Sequence, residues 1–240
     1  MRIGTVKQIW RFAVKSMAGE QLSSCDVGVR GIPGDRGWAV RDETAGKLAT
    51  GSRHPLLMQC AASYREQPTN GPIHHVEMRF PGGLVVGSDA PDINAQLTEL
   101  LEKPVSLSSL QQDPGAEDYF DVAPIHVLTT ASLAEMSRVY PQGIWDVRRF
   151  RPNFLVETEP SIKGLIEFEW IGKTLRIGEV ELECDIPTER CAMAMNAQAE
   201  FPRDDGILRS IRDVANLNLG VYAKVVKPGA ARVSDVVELI

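Results

Sequence analysis

The apolar residues of this chain come in short runs, and that fragmentation constrains its fold more than any other feature. "TVKQIWRFAV" (5–14), "GWAV" (37–40), "GLVVG" (83–87), "IHVL" (125–128), "NFLVE" (153–157), "TLRIG" (174–178), "VELEC" (180–184) and "GVYAKVV" (220–226) show alternation or compact β-branched runs. Both patterns suit half-buried or fully buried strands. Such a series predicts a barrel or a strongly bent sheet, so the expected class is α+β, strand-rich, with few helices.

Helical spacing occurs in three places. In "PDINAQLTELL" (91–101), Ile93, Leu97, Leu100 and Leu101 share a face, and Pro91 suits a first turn. In "TTASLAEMSRVY" (129–140), Leu133, Met136 and Tyr140 do the same, and Ser132 with Glu135 has capping-box spacing. "DDGILRSI" (204–211) offers Asp204 or Asp205 as cap, with Ile207, Leu208 and Ile211 inward. A length of 240 residues allows one large domain or two modest ones. The polar stretch "SSLQQDPGAEDYFDVAP" (108–124) combines turn formers with acids and lacks periodicity, which places a boundary there. The expected parts are a smaller β-rich subdomain over 1–110 and a barrel-like domain over 120–240.

A formal net charge of −6 argues against a nucleic-acid partner, whose readers usually concentrate basic charge on one face. A small anionic ligand is compatible with it. No apolar run reaches secretory-signal length or the roughly 20 residues that span a bilayer, so the expectation is a soluble cytoplasmic protein with no membrane partner.

The cysteines Cys25, Cys60, Cys184 and Cys191 form no C-x-x-C pair, and His54, His74, His75 and His126 show no zinc spacing. Most free cysteines are small buried hydrophobes, and Cys184, at the end of a strand pattern, reads as one. Cys191, in "DIPTERCAM" (185–193), directly follows Arg190. If the two side chains converge, the cation favours the thiolate, the form that binds a soft metal or attacks an electrophile.

Several cations stand beside small residues at expected strand ends: Lys15 with Ser16, Arg36, Arg53, Arg148, Arg149, Arg151 and Arg190. A guanidinium fork matches phosphate oxygens, and backbone N–H groups near small residues approach a phosphate closely. The competing reading for each is a solvated charge paired with Asp or Glu. Thr129, Thr130 and Ser132 open a helix, so they either offer donors to a phosphate or pterin edge or are plain caps. A Cys/His hydrolase has only His126 to draw on, inside an apolar strand pattern, and nothing marks Lys15 as a desolvated Schiff-base lysine.

"VKSMAGE", "GIPGDRGWAV", "PIHVLTTASLAEM", "RRFRPNFLVE", "WIGKTLRIGEVELE", "TERCAM" and "LGVYAKVVKPGAARVSDVV", taken in order and spacing, resemble the MOSC family, named for the C-terminal domain of molybdenum cofactor sulfurases. The resemblance covers nearly the whole chain and is closest in layout to the amidoxime-reducing proteins. It implies a MOSC N-terminal β-barrel-like module over 1–110 and a MOSC domain over 120–240. It also implies a molybdenum cofactor (molybdopterin) whose metal takes two dithiolene sulfurs and one protein cysteine, here Cys191, at the centre of catalysis. Lys15, Ser16, Arg36, Arg151 and Asn153 match positions that hold the cofactor in such relatives. Thr129 and Thr130 lie in a matching contact segment, and Arg190 stands beside the ligand.

The implied reaction is a two-electron reduction of an N-hydroxylated small molecule to an amidine or amine, with water as the oxygen product. No cysteine cluster follows Cys191, so the expected electron source is a separate ferredoxin, flavoprotein or cytochrome b5-like partner. The alternatives are a non-catalytic carrier of cofactor or sulfur, and a metal-free binding module. Pyridoxal phosphate binding, a family label tied to a fused sulfurase domain, is not expected. The sequence departs from the family pattern after the cysteine, with "AMAMNAQAEFPRDD" where relatives often have a Thr and a V-D-P-like turn, and at Glu189, where some relatives carry a small hydroxyl residue.

Overall fold

The computed structural model describes residues 1–240 apart from 70–73, 114, 115 and 117; the expected boundary at 108–124 thus lies partly outside the described residues. The chain runs β1 (Arg2–Arg11), β2 (Glu20–Leu22), β3 (Ser24–Val27), β4 (Trp38–Asp42), β5 (Lys47–Leu48), β6 (Ala61–Tyr64), β7 (Val76–Arg79), β8 (Val85–Gly87), α1 (Ile93–Leu101) and β9 (Val105–Ser109). It continues through β10 (Ile125–Thr129), α2 (Thr130–Val139), β11 (Phe154–Thr158), β12 (Thr174–Ile177), β13 (Val180–Glu189), α3 (Asp205–Ala215), β14 (Asn218–Lys227), β15 (Gly229–Arg232) and β16 (Val236–Leu239).

Seven of these strands close a barrel in the order β11, β10, β14, β13, β12, β16, β1, with β1 returning to β11 and β2 flanking β1. Closure leaves no open edge within the ring. Every pair in the ring is antiparallel except β10 with β11, which the α2 crossover joins in parallel. The barrel fills with the apolar residues that alternate along the strands, including Ile3, Ile9, Phe154, Leu175, Leu182 and Val221. The first strand is therefore a stave of a barrel otherwise built from residues after 124, and β3 pairs with β15.

Between β3 and β10, two three-stranded sheets, β5-β4-β9 and β6-β7-β8, enclose a second core around Trp38, Leu57, Met78 and Leu97. A third core, with Leu128, Met136, Phe150 and Ile211, lies where α2 and α3 cover the barrel. All three expected helices form, with corrected ends. Asp92 occupies the N-cap position of α1, so Pro91 precedes the cap, and α2 is capped by Thr129, which accepts from the Ser132 amide at 3.1 Å. Among the described residues, no helix is long and apolar enough to cross a membrane.

Candidate functional site

Strand β13 carries register shifts at Cys184/Ile186 and Pro187/Glu189. Bulges bend a strand and re-aim the residues beyond them, and Pro187, which has no N–H to donate, sits at one of these. The strand ends on a bond from the Arg190 amide to the Leu217 carbonyl at 2.7 Å, and the chain turns at Cys191. Cys60 and Cys184 are buried and Cys25 is partly so, whereas Cys191 is exposed. Burial pushes the thiols of Cys25, Cys60 and Cys184 up to about 12, which leaves them as packing residues.

Cys191 opens onto a cavity of about 690 Å³ that is also lined by Lys15, Ser16, Arg36, Arg151 and Arg190. Cys191 and these five sequence-derived candidates thus converge from both halves of the chain. Three of these lining residues adopt left-handed backbone without being glycine: Ser16 (φ 71°), Arg36 (φ 50°) and Arg151 (φ 54°). Such conformations cost on the order of 1–3 kcal/mol each and persist only where the surroundings impose them. Here the Arg36 amide donates to the Phe12 carbonyl at 2.7 Å and the Arg151 amide to Val147 at 3.2 Å. Phe12 then packs under both guanidiniums, 4.9 Å from Arg36 and 4.1 Å from Arg151.

The cations are only partly satisfied. Arg151 donates from Nη1 to the Met17 carbonyl at 2.5 Å, while its buried Nη2 has no partner among the described residues. Arg190 donates from Nη2 to the Phe150 carbonyl at 2.7 Å, while its buried Nε has none among the same residues. Burial, reinforced by Arg36, pulls Arg151 down to about 9, and burial lowers Arg190 as well. Both are positive charges held at a cost, which an incoming anion would relieve. Lys15 Nζ donates to the Tyr119 carbonyl at 2.7 Å and to Asp121 at 2.5 Å. Desolvation opposes ionisation of Asp121, but Lys15, Arg36 and Arg151 outweigh it and hold the carboxyl below its usual range.

Other expected contacts are placed elsewhere. Asn153 is buried behind the cavity: its Oδ1 accepts from the His126 amide at 3.0 Å, and its Nδ2 donates to the Trp10 carbonyl and to Asp35. Thr129 and Thr130 are not among the lining residues either. The start of α2 already holds a carboxyl group of the protein's own: Glu167 accepts from the Thr129 amide at 2.7 Å and from the Ser132 hydroxyl. Thr130 Oγ1 accepts from the Thr158 amide at 3.1 Å. Of the remaining cations, Arg148 pairs with Asp146 and Glu200, and buried Arg149 is spent on the carbonyls of Ile144, Ala194, Asn196 and Pro202. Arg53 is exposed and outside the cavity lining.

The cavity also contains residues that the strand pattern concealed. His126 and Tyr222 face each other across β10 and β14, with ring centroids 5.6 Å apart, and both line it. Burial, with Arg190 and Arg36 nearby, outweighs the backbone of Arg151 and Leu219 and holds His126 well below its ordinary range, so it is neutral. Gly220 makes room for the ring: at φ +83°, an added Cβ would lie 2.5 Å from His126 Nε2. Glu189, Asp121 and Ser52 complete the polar wall.

Two families match the chain. The MOSC N-terminal beta barrel domain matches residues 3–122, and the MOSC domain matches residues 115–238. The chain is 24% identical to mitochondrial amidoxime-reducing component 1 of Homo sapiens over 80% of its own length and 66% of that protein's, just under two thirds of the relative. It is 23% identical to mitochondrial amidoxime reducing component 2 of Rattus norvegicus, covering 98% of this chain and 82% of that one. In fold it is similar to the YUAD protein from Bacillus subtilis, with a TM-score of 0.52 at 13% identity, covering 98% and 94% of the two chains.

Proposed function

The chain belongs to the MOSC domain family, and on that premise we propose that it is a molybdenum-cofactor-dependent oxidoreductase that reduces N-hydroxylated small molecules. The carrying observation is the meeting, in one cavity, of the exposed cysteine with half-buried arginines whose buried Nη2 (Arg151) and Nε (Arg190) have no partner among the described residues. Among the described residues, no three His, Cys, Asp or Glu side chains form a metal cage. A single thiolate suits a metal that brings its other sulfur donors with its cofactor.

In this reading Cys191 supplies the protein thiolate, and Lys15, Arg36, Arg151 and Arg190 hold the phosphate and pterin. Ser16 shapes the backbone at the cavity wall, Asn153 holds the Asp35–Arg36 pair from behind, and Thr129 and Thr130 act on the fold, through Glu167 and Thr158. When bound, the cofactor supplies two-electron oxygen-atom chemistry at a soft-ligated metal. The residues around it govern protons and access. Burial raises the Tyr222 phenol against the pull of Arg190, so its Oη keeps a proton at the cavity wall. Neutral His126 places no further charge beside the cations. The amidoxime-reducing names of the two relatives support an N-hydroxylated substrate. Electrons would come from a separate ferredoxin, flavoprotein or cytochrome b5-like donor; the cytoplasmic setting rests on the sequence reading, and both relatives are named mitochondrial.

The test is molybdenum content by elemental mass spectrometry and pterin fluorescence after oxidative release, on protein from a cofactor-sufficient host and on Cys191→Ala. Metal and pterin together in the parent, with the metal lost in the variant, support the assignment. Stoichiometric metal in Cys191→Ala would overturn it. Reduction of benzamidoxime by the loaded protein with an artificial donor then separates an enzyme from a carrier.

A further inference from the structure

Ser52 lies in none of the segments that carry the family resemblance, yet its hydroxyl donates to the Cys191 sulfur at 3.2 Å, across 139 residues of sequence. This is the one hydrogen bond of the Ser52 side chain among those of the described residues. The turn that presents it is held on both sides. The Gly51 amide donates to buried Ser16 Oγ at 2.9 Å, and the Gly51 carbonyl accepts from buried Asn196 Nδ2 at 3.0 Å. Arg53 and His54 amides close the turn on the Thr50 carbonyl at 2.9 and 2.7 Å. Gly51 is packed so closely that an added Cβ would lie 2.8 Å from Met58 Cγ and 3.0 Å from Met193 Cε. A side chain one residue from so fixed a peptide has little freedom to leave the sulfur.

We infer that Ser52 is a positioning residue for Cys191: its hydroxyl orients the sulfur and draws charge from it, so the N-terminal half of the chain completes the thiolate site. Hydrogen bonds to an ionised acceptor are the strong ones, and donors to a ligating sulfur weaken it as an electron donor and as a nucleophile. The role of this thiolate as a metal ligand rests on the function proposed above; the contact itself does not.

The test therefore has one arm that needs no cofactor. Cofactor-free parent, Ser52→Ala and Ser52→Thr are alkylated with iodoacetamide at alkaline pH, where an exposed thiol is ionised, and modification of Cys191 is followed by peptide mass spectrometry. The result expected is a severalfold faster reaction in Ser52→Ala, with Ser52→Thr close to the parent because it keeps the hydroxyl. Equal rates in all three proteins, or equal acceleration in both variants, would overturn the inference. Thermal melts on the same samples identify a variant that has lost its fold, in which case Ser52→Val, which has the shape of threonine without the hydroxyl, replaces Ser52→Ala.

In the molybdenum-loaded protein, the metal potential from a redox titration followed by electron paramagnetic resonance should shift to more negative values in Ser52→Ala and stay in Ser52→Thr. An unchanged potential would overturn the charge-withdrawing role. A parent that binds no molybdenum, with Ser52→Ala still alkylated faster, would sink the proposed function and leave the Ser52–Cys191 contact standing.

Discussion

Asn153 donates from Nδ2 to Asp35 Oδ2 at 3.1 Å, and Asp35 in turn accepts from the Phe12 amide at 2.7 Å and from the Arg36 guanidinium. Asn153 therefore acts on the cavity through Arg36 without lining it. Its removal strands the His126 amide, the Trp10 carbonyl and one side of Asp35, at about 1–3 kcal/mol for a buried group left without its partner. Asn153→Ala should unfold at lower urea concentration and retain less pterin. Asn153→Asp should be worse, because it sets a second carboxylate against Asp35. Unfolding of Asn153→Ala at the parent's urea midpoint would refute this role.

Arg151 and Arg36 share Phe12 between them, and Arg36 also donates from Nη2 to the Arg151 carbonyl at 3.3 Å. Alanine at either position should lower pterin occupancy while leaving Cys191 in place and reactive. Arg151→Lys should fail to restore occupancy, since a point charge cannot both reach the Met17 carbonyl and stack on the ring as a planar fork does. Pterin release after oxidation, compared with thiol titration of Cys191, measures the two effects separately. Unchanged pterin in both alanine variants would remove the anion site from the proposal.

Alternation and β-branched runs made β1, β4, β8 and β10–β14 legible, because each carries its own local pattern of burial. Other strands gave no such signal. β5 is two residues long, and β16 is needed to close the ring between β12 and β1, a property of the assembled sheet. For the same reason nothing in "RIGTVKQIWR" reveals that it pairs with residues after 124. Within the site, Cys191 was separable from Cys184 by strand pattern, and the cations by the small residues beside them. Thr129 and Thr130 show the limit: a helix start advertises an anion, but the group that occupies this one is the Glu167 carboxyl, 38 residues away. His126 looks apolar in context because β10 is buried along its whole length, and half-buried Tyr222 stands between buried Val221 and Ala223 in β14.

Cys184, inside β13, and Cys191, just past its end, should separate by stability. Cys184 is fully buried in the barrel core, so Cys184→Ala removes packed atoms and should cost roughly 1–2 kcal/mol. Cys191 is exposed, and Cys191→Ala should change the unfolding free energy by less than about 0.5 kcal/mol while abolishing metal binding. Urea unfolding of the cofactor-free proteins makes the comparison. A Cys191→Ala variant destabilised as much as Cys184→Ala would mark Cys191 as a packing residue after all.

Glu167 ties stability to pH. Burial raises its carboxyl above the ordinary value of 4.5, despite the opposing hydrogen bonds from Ser132 and Thr129. The folded state thus holds this proton more tightly than the unfolded chain does, and stability falls as pH rises through the interval between the two values. Glutamine has no proton to lose, keeps an acceptor for the Thr129 amide and can donate to Ser132 Oγ. Glu167→Gln should therefore match the parent in acid and exceed it increasingly as pH climbs above about 4.5, levelling off once the folded-state carboxyl is ionised. Urea midpoints of both proteins, measured from acid to mildly alkaline pH, trace the difference. A constant gap across that range would show that Glu167 is equally charged in both states and that α2 is capped by an ordinary carboxylate.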